Sequence, residues 1–150
     1  MKELYFPFDG NMIMRRRKAL KKQLLADGTT RIKKKIAVLG GSTTDDVVTA
    51  LELFLLNFGI EPQFYQSEYN KFYEDAVFGS SDFVEFKPDL IYIHTTSRNL
   101  SLIPDDAAES SDSVQKRLDD QFGIFKQAWI SLMQRFKCPI IQNNFELPLF

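Results

Sequence analysis

Cysteine is almost missing from this chain of 150 residues: Cys138 is the only one. A single thiol excludes an internal disulfide and a Cys-rich zinc cluster. It stands in the apolar context Phe136-Lys137-Cys138-Pro139-Ile140 and reads as a small core residue rather than a reactive one. Histidine is as scarce, with His94 alone, so any nucleophile here has one imidazole to draw on as a base. No run of about 18 apolar residues is present, so no transmembrane helix is predicted. The opening Met1-Lys2-Glu3-Leu4-Tyr5 lacks the basic-then-apolar order of a secretory signal. Together these absences predict a soluble chain in a reducing compartment, most simply the cytoplasm.

The formal net charge of −1 conceals an asymmetry. Residues 1–35 hold eleven Lys and Arg against three Asp and Glu, and the remainder holds eight against seventeen. The basic block is Arg15-Arg16-Arg17-Lys18, Lys21-Lys22, Arg31 and Lys33-Lys34-Lys35. Clustered cations attract phosphates. No aromatic residue interleaves the run, however, and no nucleic-acid motif accompanies it, so a solvated helix face against an acidic body is the expected reading, with neither nucleic acid nor membrane as partner.

Residues 12–26 show helical spacing of Ile13, Leu20 and Leu24, ended by Asp27-Gly28. Ile36-Ala37-Val38-Leu39 is the short apolar run of a buried parallel strand. A helix over 45–58 follows, with Gly59 at its C-cap, then a short strand at Gln63-Phe64-Tyr65. Tyr69, Phe72, Tyr73 and Val77 at helical spacing predict a core-facing helix over 67–78. Leu90-Ile91-Tyr92-Ile93 is a third strand, and 95–112, with Pro104, reads as a long loop. Over 113–136, Val114, Leu118, Phe122, Phe125, Trp129, Leu132, Met133 and Phe136 advance by helical steps, and Pro139-Ile140-Ile141 opens a fourth strand. Strands alternating with helices predict an α/β fold with a parallel sheet. Four strands with no helix after the last suggest an incomplete domain: a basic helical extension over 1–34 and an α/β domain over 35–150.

Ligands of open parallel sheets bind beyond the carboxyl ends of the strands. That rule selects Gly40–Thr44, His94–Asn99 and Gln142–Phe145. In the first loop Gly40 and Gly41 allow a tight turn and a close approach to the backbone. Ser42 at its tip suits a nucleophile with backbone N–H groups nearby, while Thr43 or Thr44 can cap the next helix. Ser42 and the threonines also serve as caps alone. Phosphate binding is disfavoured, because G-x-G-x-x-G and Gly-Lys-Ser/Thr are absent and Asp45 and Asp46 would repel the anion. His94 closes the third strand, where it is either a base or a hydrogen-bonded structural residue. Asn99, Asn143 and Asn144 are amide donors that fit an oxyanion or ordinary turn chemistry. A full Ser-His-Asp set is not visible.

Val38-Leu39-Gly40-Gly41-Ser42-Thr43-Thr44 resembles the first block of SGNH hydrolases, Gly-Asp-Ser-x-Thr after a first strand. Pro88-Asp89-Leu90-Ile91-Tyr92-Ile93 followed by Asn99 resembles the strand leading to their Gly-x-Asn-Asp block. The basic helix, Lys34-Lys35-Ile36-Ala37-Val38-Leu39-Gly40-Gly41-Ser42, Phe86-Lys87-Pro88-Asp89 and Gln142-Asn143-Asn144-Phe145-Glu146-Leu147-Pro148 together resemble the N-terminal region of FkbH-like proteins (HAD superfamily, subfamily IIIC), which join an SGNH-like domain to a haloacid-dehalogenase-type (HAD) domain. The resemblance implies a Rossmann- or flavodoxin-like three-layer fold. It also implies a part in acyl or phospho-acyl (glyceryl-type) transfer in polysaccharide or secondary-metabolite biosynthesis. Ser42 would be nucleophile or ligand hydroxyl and Asn99 the oxyanion donor, with Gly40, Gly41, Thr43, Thr44, His94, Asn143 and Asn144 around the substrate. The implied partners are a downstream HAD-type domain and an acyl carrier protein. No cofactor is expected in this segment, and Mg belongs to the HAD domain, since no Asp-x-Asp is present here. Gly41 stands where the family has aspartate, and the closing Asp-x-x-His block is absent. The alternative is a partner-binding module with a degenerate site.

Overall fold

A computed structural model describes residues 1–100 and 109–145. Helix α1 (Gly10–Ala26) starts at Asp9, whose carboxylate accepts from the Met12 N–H at 3.1 Å, and buries Ile13, Leu20 and Leu24 as their spacing predicts. Strand β1 (Ile32–Gly40) begins four residues before its apolar run. Hydrophobicity marks only its buried half, Ile36–Gly40. The exposed half, with its lysines, is a strand because it pairs with a neighbour: Ile32 to Val38 lie in parallel register with Ile60 to Gln66.

Strands β2 (Ile60–Gln66), β3 (Leu90–His94) and β4 (Ile140–Gln142) complete a parallel sheet in the order β2-β1-β3-β4. Alternation along a strand sends successive side chains to opposite faces. Ala37, Leu39, Ile91 and Ile93 therefore share one face, where they pack with Phe72, Phe83, Phe125, Ala128 and Leu132. These come from α3 (Phe72–Val77), α4 (Ser81–Phe86) and α5 (Ser111–Arg135). The opposite face receives α2 (Asp45–Asn57), which lies against β2 and is in turn covered by α1 through Leu20, Leu24, Leu53 and Leu56. The result is the three-layer, Rossmann- or flavodoxin-like α/β architecture that the alternation of elements predicts.

Asp89 secures the entry to β3. Its Oδ2 accepts from the Lys35 N–H at 2.8 Å, and its own N–H donates to the Lys35 carbonyl at 2.8 Å. The Lys35 N–H donating to its carboxylate is the main reason that carboxyl is held below the usual carboxylate value, with Lys34 adding to it.

The structure departs from the sequence reading, or adds to it, at three places. The helix drawn over 67–78 is confined to α3, and Tyr69 is 72% exposed rather than part of the core stripe. Residues 81–86 form α4, a helix that sequence periodicity did not reveal; Ser80 caps it, and Phe83 fills the core between Tyr65 and Phe136. The apolar positions of α5 are not all core: Phe125, Ala128 and Leu132 are buried, whereas Leu118, Phe122 and Met133 are exposed. Pro104 of the expected loop, and Glu146-Leu147-Pro148 of the family-like stretch, lie outside the described residues.

Candidate functional site

Strand β1 has β2 on one side and β3 on the other, so chain order reverses across the β1–β3 pair. A crevice at the carboxyl ends of two such strands is where open parallel sheets bind ligands. Here those ends carry the Gly40–Thr44 loop and the His94–Asn99 loop. The ladder continues one residue past the strand, with the Gly41 N–H donating to the His94 carbonyl at 2.8 Å. The Gly40 N–H donates to the buried Ser67 Oγ at 2.7 Å.

Both glycines are required by close approach rather than by unusual torsions. A Cβ on Gly40 would lie 2.8 Å from the Ser42 carbonyl oxygen. A Cβ on Gly41 would lie 2.5–2.7 Å from the Asn99 carboxamide. That carboxamide is pinned. Its Nδ2 donates to the Gly41 carbonyl (2.7 Å) and to Asn70 Oδ1 (3.2 Å), and its Oδ1 accepts from the Thr96 N–H (2.9 Å). The SGNH pattern has aspartate where Gly41 stands, and no such side chain fits against this asparagine.

Around this knot lies a cleft of about 360 Å³, a size that suits a small molecule. Gly41, Ser42 and Thr43 form one wall, and Thr96, Arg98 and Asn99, from a 3₁₀ turn at Ser97–Asn99, form the facing one. Tyr69 and Asn70 close the third side. Asn70 takes the left-handed conformation (φ 58°) that lets the chain turn back after β2. The Ser42 hydroxyl is half-buried and makes no hydrogen bond among the described residues. Among the described residues no carboxylate or imidazole lines the cleft.

The structure therefore gathers four of the nine sequence-selected residues, Gly41, Ser42, Thr43 and Asn99, into one cleft, with Gly40 directly behind. Thr44 occupies the N-cap of α2, yet its hydroxyl does not cap the helix. It accepts from Gln66 Nε2 at 2.9 Å, in an adjoining recess where the same Nε2 donates to Asp45 Oδ1 at 2.8 Å. His94 does not line the cleft; its Nδ1 lies 3.1 Å from the Tyr92 hydroxyl, and burial pushes that phenol's pKa up. Asn143 stitches β4 to β3: its Oδ1 accepts from the Thr95 N–H (2.9 Å), and its Nδ2 donates to the Thr95 carbonyl (2.7 Å). Asn144 is exposed beside it and also lies away from the cleft. Asp75 and Tyr65, both pushed up chiefly by burial, share a 3.0 Å hydrogen bond between α3 and β2 and also sit outside it.

Tyr69, Asn70, Thr96 and Arg98 were not selected as site residues from the sequence. Arg98 lay inside a loop the strand-end rule points to. Tyr69 and Asn70 were hidden because the aromatic spacing drew a helix through the turn after β2. The cleft's donors, hydroxyls and amides beside a guanidinium, do not fit Mg²⁺, which takes carboxylate oxygens. Among the described residues no group of three or more His, Cys, Asp and Glu could hold a metal ion, and no helix is long and apolar enough to cross a membrane.

No protein-family model matches the chain, and no curated protein matches it. One solved structure is similar: the crystal structure of the N-terminal part of the protein BF1531 from Bacteroides fragilis, containing a phosphatase domain complexed with Mg. The two share 23% identity at a TM-score of 0.65. The likeness covers 88% of this chain and 34% of that one, so this chain spans about a third of its neighbour's length. At this identity the likeness is one of fold.

Proposed function

We propose that this chain is the SGNH-like, substrate-holding part of a larger FkbH-type enzyme of acyl or phospho-acyl transfer. The observation that carries the reading is the cleft at the β1–β3 crevice, into which Ser42 brings a hydroxyl that no described residue engages. The fold likeness to the N-terminal part of a protein that contains a phosphatase domain supports it. In this reading residues 1–34 are a basic helical extension, residues 35–150 the SGNH-like domain, and a HAD-type domain with its Mg supplies the phosphoryl chemistry.

Ser42 holds substrate through its hydroxyl. Among the described residues no base lines the cleft to take the serine proton. Asn99 is a positioning residue, since both protons of its carboxamide are already given to Gly41 and Asn70. The test is turnover of the full-length protein carrying Ser42→Ala. Loss of one hydroxyl contact predicts a fall in kcat/KM of about tenfold. A fall of about a thousandfold or more would make Ser42 the nucleophile instead. Wild-type turnover would remove it from the site.

A second reading has its own observation. Helix α1 has six exposed cations and no acidic residue, and among the described residues these cations form ion pairs only between Arg16 and Glu3 at 3.7 Å and between Lys21 and Glu52 at 2.8 Å. Such a face suits docking of an acidic partner such as an acyl carrier protein. Charge reversal of Arg15, Arg16 and Arg17 is expected to weaken that association, with the loss reduced by added salt. Unchanged binding would dismiss the reading.

A further inference from the structure

Arg98 is the only charged residue among the described residues lining the cleft. It is exposed, and no described residue forms an ion pair with it. Its backbone is fixed: its N–H donates to Thr96 Oγ1 at 3.3 Å, and Asn99 on the next position ties the whole turn to Gly41. The guanidinium thus stands on a rigid mount with no counter-ion among the described residues. Its neighbours across the cleft are neutral and protic: the hydroxyls of Ser42 and Thr43 and the carboxamide of Asn70. The first turn of α2 does bring two carboxylates, Asp45 and Asp46, whose charge speaks against an anion at this loop, but neither lines the cleft, and Gln66 holds Asp45 in the adjoining recess. A guanidinium presents a planar fork of N–H donors that matches two oxygens of one anion.

We infer that the cleft recognises the anionic end of its substrate, a carboxylate or a phosphate monoester, through Arg98. This rests on the reading of the cleft as the substrate site and adds the charge of what it holds. Tyr69, largely exposed at the lip, offers a ring face to the body of the same molecule.

The experiment is a titration of the ¹⁵N-labelled chain with sodium acetate, inorganic phosphate and, as a neutral probe, acetamide, following the amide signals of Gly41, Ser42, Thr43 and Asn99. Saturable shifts are expected with acetate or with phosphate, and the stronger of the two names the anion. Arg98→Gln is expected to weaken that binding by about tenfold or more. Arg98→Lys should restore part of it, and Lys126→Gln, an exposed cation on α5 that does not line the cleft, should leave it unchanged. Equal affinity in Arg98→Gln overturns the inference, as does a response that Lys126→Gln removes. If acetamide alone shifts these amides, the anion inference fails while the cleft remains a binding site. If none of the three probes shifts them, both fail.

Discussion

Replacing Gly41 with alanine adds one methyl group where the Asn99 carboxamide already sits, 2.5–2.7 Å away. Gly41 does not have a positive φ, so its backbone accepts alanine without torsional strain, and the whole cost comes from the collision. Asn99 has little room to yield, because moving it breaks the hydrogen bonds to the Gly41 carbonyl and from the Thr96 N–H. At about 1 kcal/mol for each, with a further penalty for leaving a buried carbonyl unpaired, Gly41→Ala is expected to destabilise by about 2–3 kcal/mol. With a urea slope of about 1.5–2 kcal/mol/M, the midpoint falls by about 1–2 M. Trp129 is the single tryptophan, and its Nε1–H donates to Gln142 Oε1 between α5 and β4 at 2.7 Å, so its fluorescence follows the unfolding. The decisive measurement is a double-mutant cycle with Asn99→Ala. In that background the collision partner is gone, and Gly41→Ala is expected to lie within about 0.5 kcal/mol of neutral. Additive effects of the two substitutions would refute the claim that Gly41 is a glycine because of Asn99.

Asp89 titrates below the ordinary carboxylate value of 3.8 in the fold, so its stabilising effect is present above that value and lost as pH falls through the lower folded one. Asp89→Asn should therefore be less stable than wild type at pH 7, with the difference closing only in strong acid; a constant difference across pH would contradict this. Leu132, fully buried against the sheet, is expected to lose about 2–5 kcal/mol on substitution by alanine in urea unfolding, and a loss below 1 kcal/mol would mean that α5 is not part of the core. Burial pushes the Cys138 thiol up, so it should react with a disulfide reagent more slowly than free cysteine at pH 8 and reach that rate in urea.

The long-period features were legible in the chain itself. Ile13, Leu20 and Leu24 mark α1, the run Ile36–Leu39 marks a buried strand, and Gly40-Gly41-Ser42 marks the turn at its end, because burial and tight turns constrain residue type locally. Short elements that burial alone does not pattern were not legible. Lys33–Lys35 are strand because Asp89 and β2 supply partners 28 or more residues away, and α4 is a helix of six residues stabilised largely by one ring, Phe83, in the core. The site divides in the same way. Composition and spacing determined that Gly40–Thr44 would sit at a strand's carboxyl end. The strand order β2-β1-β3-β4 decided what faces it: Asn99 and Arg98 rather than His94, and Tyr69 and Asn70 from a turn that aromatic spacing disguised as helix. The Asn99 carboxamide meets groups 29 and 58 residues away, donating to the Asn70 side chain and to the Gly41 backbone carbonyl. Such contacts depend on which strands are neighbours, and that is settled by packing across the whole sheet rather than by any local run of residues.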